Sequence, residues 1–276
     1  MPSGVDVRAS RTAPATRAAA LLHRIAVLGA SASYGVNLRA TLADALSALV
    51  AIPHKPPLDG STGGFSAASL AEREHVVQLA LEREPSLVVA VDFLFWYVYG
   101  WKPEGQRLPQ LDQALELLDR FECPIVIGLV ADMLPARDPF FPNPAMPSRK
   151  TLARANARIA DWASRRAHVI VVPLTERLEE LRAGAAIQVG PWAWTAGDSQ
   201  RFMQPDGTHP TEDGLLMLAR LVVEGLRERF RFLPAEHFVA DLEAVRSAML
   251  EISAAHESPR HGPRVRPPPP VPPARR

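Results

Sequence analysis

Short, nearly unbroken runs of Val, Ile and Leu recur along this chain, each followed by a stretch with helical spacing. The runs are Ile25–Leu28, Leu87–Val91, Pro124–Val130 and His168–Val172, with Ile187–Val189 a weaker fifth. A strand that faces water on one side alternates apolar and polar residues, whereas one that is apolar throughout must be covered on both faces. The intervening stretches predict helices at Leu38–Val50, Ala67–Glu82, Pro109–Arg120, Ser148–Ser164, Thr175–Ala183 and Glu212–Arg229. Strands separated by helices make βαβ units, and βαβ units make a parallel sheet. The expected fold is therefore α/β: a three-layer α/β/α sandwich on a parallel, flavodoxin-like sheet. A further helix over Pro234–Ala255 is expected to pack on the outside.

The length, 276 residues at 47% hydrophobic, is ample for one large core. Residues 24–256 are expected to form one domain. Ahead of it lie a polar, flexible segment and a short helix over Ala15–His23. Behind it residues 257–276 form a Pro/Arg-rich tail, in which proline removes backbone donors and fixes φ, so a disordered polyproline segment is expected. The formal net charge of +1 gives no reason to expect a nucleic-acid or membrane-surface partner. No run of about 18 apolar residues predicts a membrane span. The first 23 residues lack a secretory apolar stretch, so a cytoplasmic location is the default, with secretion under a misplaced start left open. The single cysteine, Cys123, opens an apolar run and reads as a small buried hydrophobe, and no intrachain disulfide or cysteine metal cluster can form. The histidines outside the C-terminal loop show no metal-ligand spacing, so neither metal nor cofactor is expected.

In open parallel sheets the ligand site lies at the carboxyl ends of the strands. The first strand runs into Gly29-Ala30-Ser31-Ala32-Ser33. A glycine and a small residue before a serine allow a tight turn that presents the hydroxyl and frees its backbone N–H. The same turn also suits a phosphate-binding loop. The second signal is Asp206-Gly207-Thr208-His209, in a Pro- and Gly-punctuated loop opening a long helix. That spacing lets one turn aim a carboxylate and an imidazole at the same place, although Asp206 and Thr211 could merely make turn and N-cap bonds.

Together these segments resemble the GDSL/SGNH hydrolase family, over about residues 24–225. Gly29-Ala30-Ser31 matches the family's Gly-Asp-Ser turn, and Asp206-Gly207-Thr208-His209 matches its Asp-x-x-His block, with Pro210 and Gly214 also typical. The resemblance implies an ester-cleaving serine hydrolase, a lipase or esterase, acting through an acyl-enzyme on a small-molecule substrate. Ser31 would be the nucleophile, His209 the base and Asp206 the orienting acid.

Three departures stand out. Ala30 replaces the family's Asp. Where Gly-x-Asn-Asp is usual, the chain reads Asp92-Phe93-Leu94-Phe95, so Leu94 falls at the oxyanion-hole Asn. For the second-block glycine, whose N–H helps the family's oxyanion hole, Gly64 is the candidate. Asp92 is a candidate acid, base, substrate ligand or loop cap, and Asp132 a weaker one of the same kind. Aromatic residues from Phe93 to Trp101 are expected mainly in the core, with some beside the site, and Trp192 and Trp194 could form an opposite wall or lid. Gly197-Asp198-Ser199 spells the family tripeptide but follows no strong strand, so Ser31 is preferred to Ser199. Asn156 reads as structural. Two rival readings stay open: a family-like protein that has lost catalysis and binds a ligand or partner, and a nucleotide-binding fold using Gly29–Gly35. Substrate identity and oligomeric state are not legible.

Overall fold

The computed structural model describes residues 14–133, 145–197 and 199–256. The expected disordered N-terminal stretch (save Pro14) and the Pro/Arg-rich tail lie outside the described residues. The chain enters through α1 (Pro14–Leu22) and β1 (Ile25–Val27), then a single helical turn, α2 (Ser31–Tyr34), and α3 (Leu42–Leu49). The edge strand β2 (Leu58–Asp59), α4 (Leu70–Glu82) and β3 (Leu87–Ala90) follow. Next come α5 (Phe95–Val98), α6 (Glu104–Leu118), β4 (Ile125–Gly128), α7 (Arg149–Ser164) and β5 (Val169–Val172). The C-terminal part holds α8 (Leu174–Arg182), a hairpin of β6 (Ile187–Val189) and β7 (Trp192–Trp194), α9 (Ser199–Phe202), α10 (Glu212–Arg229) and α11 (Leu242–His256).

The main sheet is parallel in every pairing, in the order β2-β1-β3-β4-β5. Its side chains alternate between two cores, as strand geometry requires. Ile25, Val27, Leu87 and Val89 face a core built with α1, α3, α10 and α11. Ala26, Leu28, Val88 and Ala90 face one built with α4, α6 and α7. The result is the expected three-layer α/β/α sandwich with a flavodoxin-like strand order. Strand β1 lies between β2 and β3, so the chain leaves it toward opposite edges, and a crevice opens at the carboxyl ends of β1 and β3.

Several boundaries differ from expectation for local reasons. Helix α3 starts at Leu42 rather than Leu38 because Thr41 and Asp44 form a reciprocal capping box, and Ser69 with Glu72 does the same for α4. Helix α6 begins five residues before Pro109, since a proline inside a helix removes one bond without dictating the start. The fifth strand of the sheet is Leu58–Asp59, too short to give a pattern. Ile187–Val189 instead pairs antiparallel with Trp192–Trp194 in a separate hairpin. Its turn uses Gly190 at φ 57°, where a Cβ would meet Glu224 Oε1 at 2.2 Å. The helix expected over Pro234–Ala255 is divided. A 3-10 turn (Ala235–His237) is followed by an extended stretch whose Val239 N–H donates to Leu49 O, and α11 starts after Asp241 accepts from Ala244 N–H.

Candidate active site

The turn after β1 is built around one carboxylate. Asp92, just past β3, accepts hydrogen bonds from Ala30 N–H (3.1 Å), Ala32 N–H (3.0 Å), Ser33 N–H (3.1 Å) and Ser33 Oγ–H (2.6 Å). Burial pushes its carboxyl above the ordinary carboxylate range, against the pull of the Ser33, Ala30 and Ala32 donors. Gly29 makes this approach possible: a Cβ there would stand 2.4 Å from Ser33 Cβ and 2.5 Å from Asp92 Oδ1. With its neighbours clamped, Ser31 opens α2 with its hydroxyl and its N–H free of partners among the described residues. Of the roles open to Asp92, the structure shows the loop-capping one, since the carboxylate is occupied by the turn.

The C-terminal loop is closed by its own bonds. Met203 and Pro210 form an antiparallel bridge, and Gln204 N–H donates to His209 O at 2.8 Å. Gly207 takes φ 68° at the tip, where a side chain would be strained. Asp206 Oδ1 accepts from Thr208 N–H (2.8 Å) and His209 N–H (2.9 Å), and Oδ2 meets His209 Nδ1 at 2.8 Å. Burial would raise the Asp206 carboxyl, but the His209 and Thr208 donors outweigh it and hold it below its usual range. An ionised Asp206 accepts from Nδ1–H, which leaves the lone pair on Nε2. Thr211 then caps α10 by accepting from Gly214 N–H.

Gln204 ties this loop to the serine turn, a contact that nothing in the sequence announces. Its amide nitrogen donates to Val36 O (2.7 Å) and Pro210 O (2.8 Å), while its amide oxygen accepts from Asn37 Nδ2 (3.1 Å). Between the two segments lies a cavity of about 100 Å³, lined by Ser31, Ala32, Asp92 and Leu94 on one side and by Thr208 and Pro210 on another. Helices α8 and α10 complete it with Leu174, Leu178, Met217 and Leu218. His209 itself does not line the cavity, and no hydrogen bond joins it to Ser31.

Other candidates are not brought together there. Gly64 is exposed, off the cavity, and its N–H donates to Thr62 Oγ1 at 3.1 Å. Asp132 lies outside the lining, its backbone oxygen taken by Arg182. Trp192 and Trp194 are core residues; Trp194 backs the cavity wall edge-on to Phe202, with centroids 5.0 Å apart, rather than forming a lid. Of the aromatic run, Phe95 reaches the cavity, Phe93 and Tyr97 pack with Phe65, and Trp101 is exposed. Asn156 holds both the N–H and the carbonyl of Val130 at 2.9 Å, fixing the chain after β4. Asp198 and the Ser199 side chain lie outside the described residues. Burial raises the Cys123 thiol to about 11, far from a reactive thiolate. Among the described residues no group of three or more His, Cys, Asp or Glu side chains could hold a metal ion.

No family model matches the sequence, and no curated protein matches it. The structure is similar to that of a GDSL-like lipase from Bacteroides thetaiotaomicron VPI-5482, at 16% identity and TM-score 0.46, covering 78% of this chain and 95% of that one. It is similar to TesA at 18% identity and TM-score 0.47, covering 75% and 99%. A protein described as an acylhydrolase from Bacteroides fragilis NCTC 9343 matches at 16% identity and TM-score 0.46, covering 76% and 88%. The fold assignment rests on the strand order and layers themselves.

Proposed function

We propose that the protein is a divergent GDSL/SGNH-type serine hydrolase that cleaves carboxylic esters through an acyl-enzyme. The observation that carries this reading is the Asp206–His209 pair, tautomer fixed, in a loop stapled by Gln204 to the turn that carries an unpartnered Ser31 hydroxyl. Ser31 Oγ attacks the ester carbonyl while its proton passes to His209 Nε2. The ester C–O bond then breaks, and the imidazolium returns the proton to the leaving alcohol. Water repeats the sequence on the acyl-enzyme, releasing the acid and restoring Ser31. Asp206 keeps His209 in the reactive tautomer and stabilises the imidazolium. Catalytic hydrogen bonds in ligand-free sites are often long, so the Ser31–His209 contact is expected to form with substrate.

Among the described residues, the N–H of Ser31 is free to serve as an oxyanion donor. Gly64 lies off the cavity and the Leu94 side chain carries no donor where the resemblance places an Asn, so turnover is expected about 10²–10³-fold below that of a site with one more donor. The same absence favours a second reading, a site that binds but does not turn over. Labelling by a fluorescent fluorophosphonate separates them. Loss of labelling in Ser31→Ala, with Ser199→Ala unaffected, supports the hydrolase; no labelling of the native protein sinks it in favour of the binder.

A further inference from the structure

We propose that the cavity beside Ser31 is an acyl pocket that admits a short, straight apolar chain of roughly four carbons. The inference rests on the ester-hydrolysis reading above and narrows its substrate. Among the described residues, the only polar ones lining the cavity are Ser31, Asp92 and Thr208. Asp92 is occupied by the 30–33 turn, and Thr208 Oγ1 is buried in the wall without a partner. A sugar or glycerol hydroxyl placed here would find little to replace water, and an unpaired buried hydroxyl is costly. The remaining surface is aliphatic, aromatic or thioether. Leu94, Phe202, Met217 and Leu218 are each no more than 5% exposed.

The acyl side of the ester is assigned to this space by the order of events. Once the C–O bond breaks, the acyl group stays bonded to Ser31 Oγ while the alcohol must leave before water can attack. A pocket walled by buried core residues suits the part that stays. Size sets the length: an apolar cavity of about 150 Å³ holds a six-carbon benzene ring, so the space here holds roughly four carbons. Leu178 on α8 and Met217 on α10 line it from separate helices, which makes them the specificity-determining positions.

The test is a series of p-nitrophenyl esters with one leaving group: acetate, butyrate, octanoate and laurate. At about fourfold in kcat/KM per buried methylene, butyrate should exceed acetate roughly fifteenfold, and octanoate and laurate should fall away. Leu178→Trp should narrow the pocket and put acetate ahead of butyrate. Met217→Ala should widen it and raise octanoate relative to butyrate. Each readout is a ratio within one protein, so it survives partial loss of folded material, and either variant suffices if the other does not fold. A native profile that climbs steadily to laurate overturns the pocket assignment, as does one unchanged in both variants, while leaving ester hydrolysis standing. No turnover of any ester together with no fluorophosphonate labelling of Ser31 overturns the hydrolase reading and the pocket with it.

Discussion

At the scale of single residues, the carboxylate at Asp92 has an unusual burden. Four donors from one short turn converge on it, so replacing it strands several at once. Unpaired buried polar groups cost about 1–3 kcal/mol each, and Asp92→Ala should cost at least ~3 kcal/mol by urea denaturation. Asp92→Asn should be little better, because its NH₂ would point donors at donors. The resemblance places a carboxylate at position 30 and a glycine at position 92, where this chain has Ala30 and Asp92. Partial recovery of fluorophosphonate labelling in Ala30→Asp/Asp92→Gly over Asp92→Gly alone would show that the turn needs a carboxylate, whichever strand supplies it. Asp206 sits where orientation matters more than stability. Asp206→Asn should lower kcat by roughly 10³–10⁴-fold, because the amide no longer enforces the tautomer. Its folded carboxyl lies below the usual range, so its ionised form stabilises the native state above the unfolded value near 3.9. That contribution is lost as pH falls through the lower folded value, so Asp206→Asn should flatten the acid side of the stability–pH curve.

At the scale of elements, the site is two loops held in register by one side chain. Gln204 is half-buried and bridges Val36, Asn37 and Pro210, so Gln204→Ala should free the Asp–His loop from the serine turn. The expected result is a stability loss of only about 1–2 kcal/mol with a drop in kcat/KM of tenfold or more, since misplacing reacting groups by an ångström is costly. Equal falls in labelling rate and folded fraction would instead make Gln204 a purely structural residue. Helix α11 does a different job. Its Val245 and Met249 are fully buried against α3, Ser253 Oγ donates to Arg39 O, and His256 meets Asp44. Met249→Ala should cost about 2–4 kcal/mol in urea denaturation while leaving the esterase chain-length ratios alone, because the site lies elsewhere in the fold.

At the scale of the whole molecule, the site occupies the crevice that the strand order creates. Ser31 follows β1 and Asp92 follows β3, the neighbouring strands between which the connections diverge. Helices α8 and α10 then close the space with apolar side chains. Among the described residues no helix is long and apolar enough to cross a membrane. The architecture was legible in the chain because its cause is local. Runs of Val and Ile mark buried strands, and helical periodicity marks what covers them. The Asp206–His209 turn was legible for the same reason, since its bonds span only two or three residues. The capping boxes at Thr41 and Ser69 carried equally local signals that fix helix starts better than periodicity does.

What the sequence by itself determined, then, was the layered parallel α/β fold and the two short segments that bear the candidate chemistry. The tertiary structure decided what Asp92 does, because its partners lie 59 to 62 residues away and meet it only when β1 and β3 pair. It decided likewise that Gly64 stays outside, that Gln204 joins the two loops across 167 and 168 residues, and that the space beside Ser31 is small and apolar. Neighbours in the chain encode periodicity and turns; which side chains share a cavity depends on which strands and helices come to lie side by side.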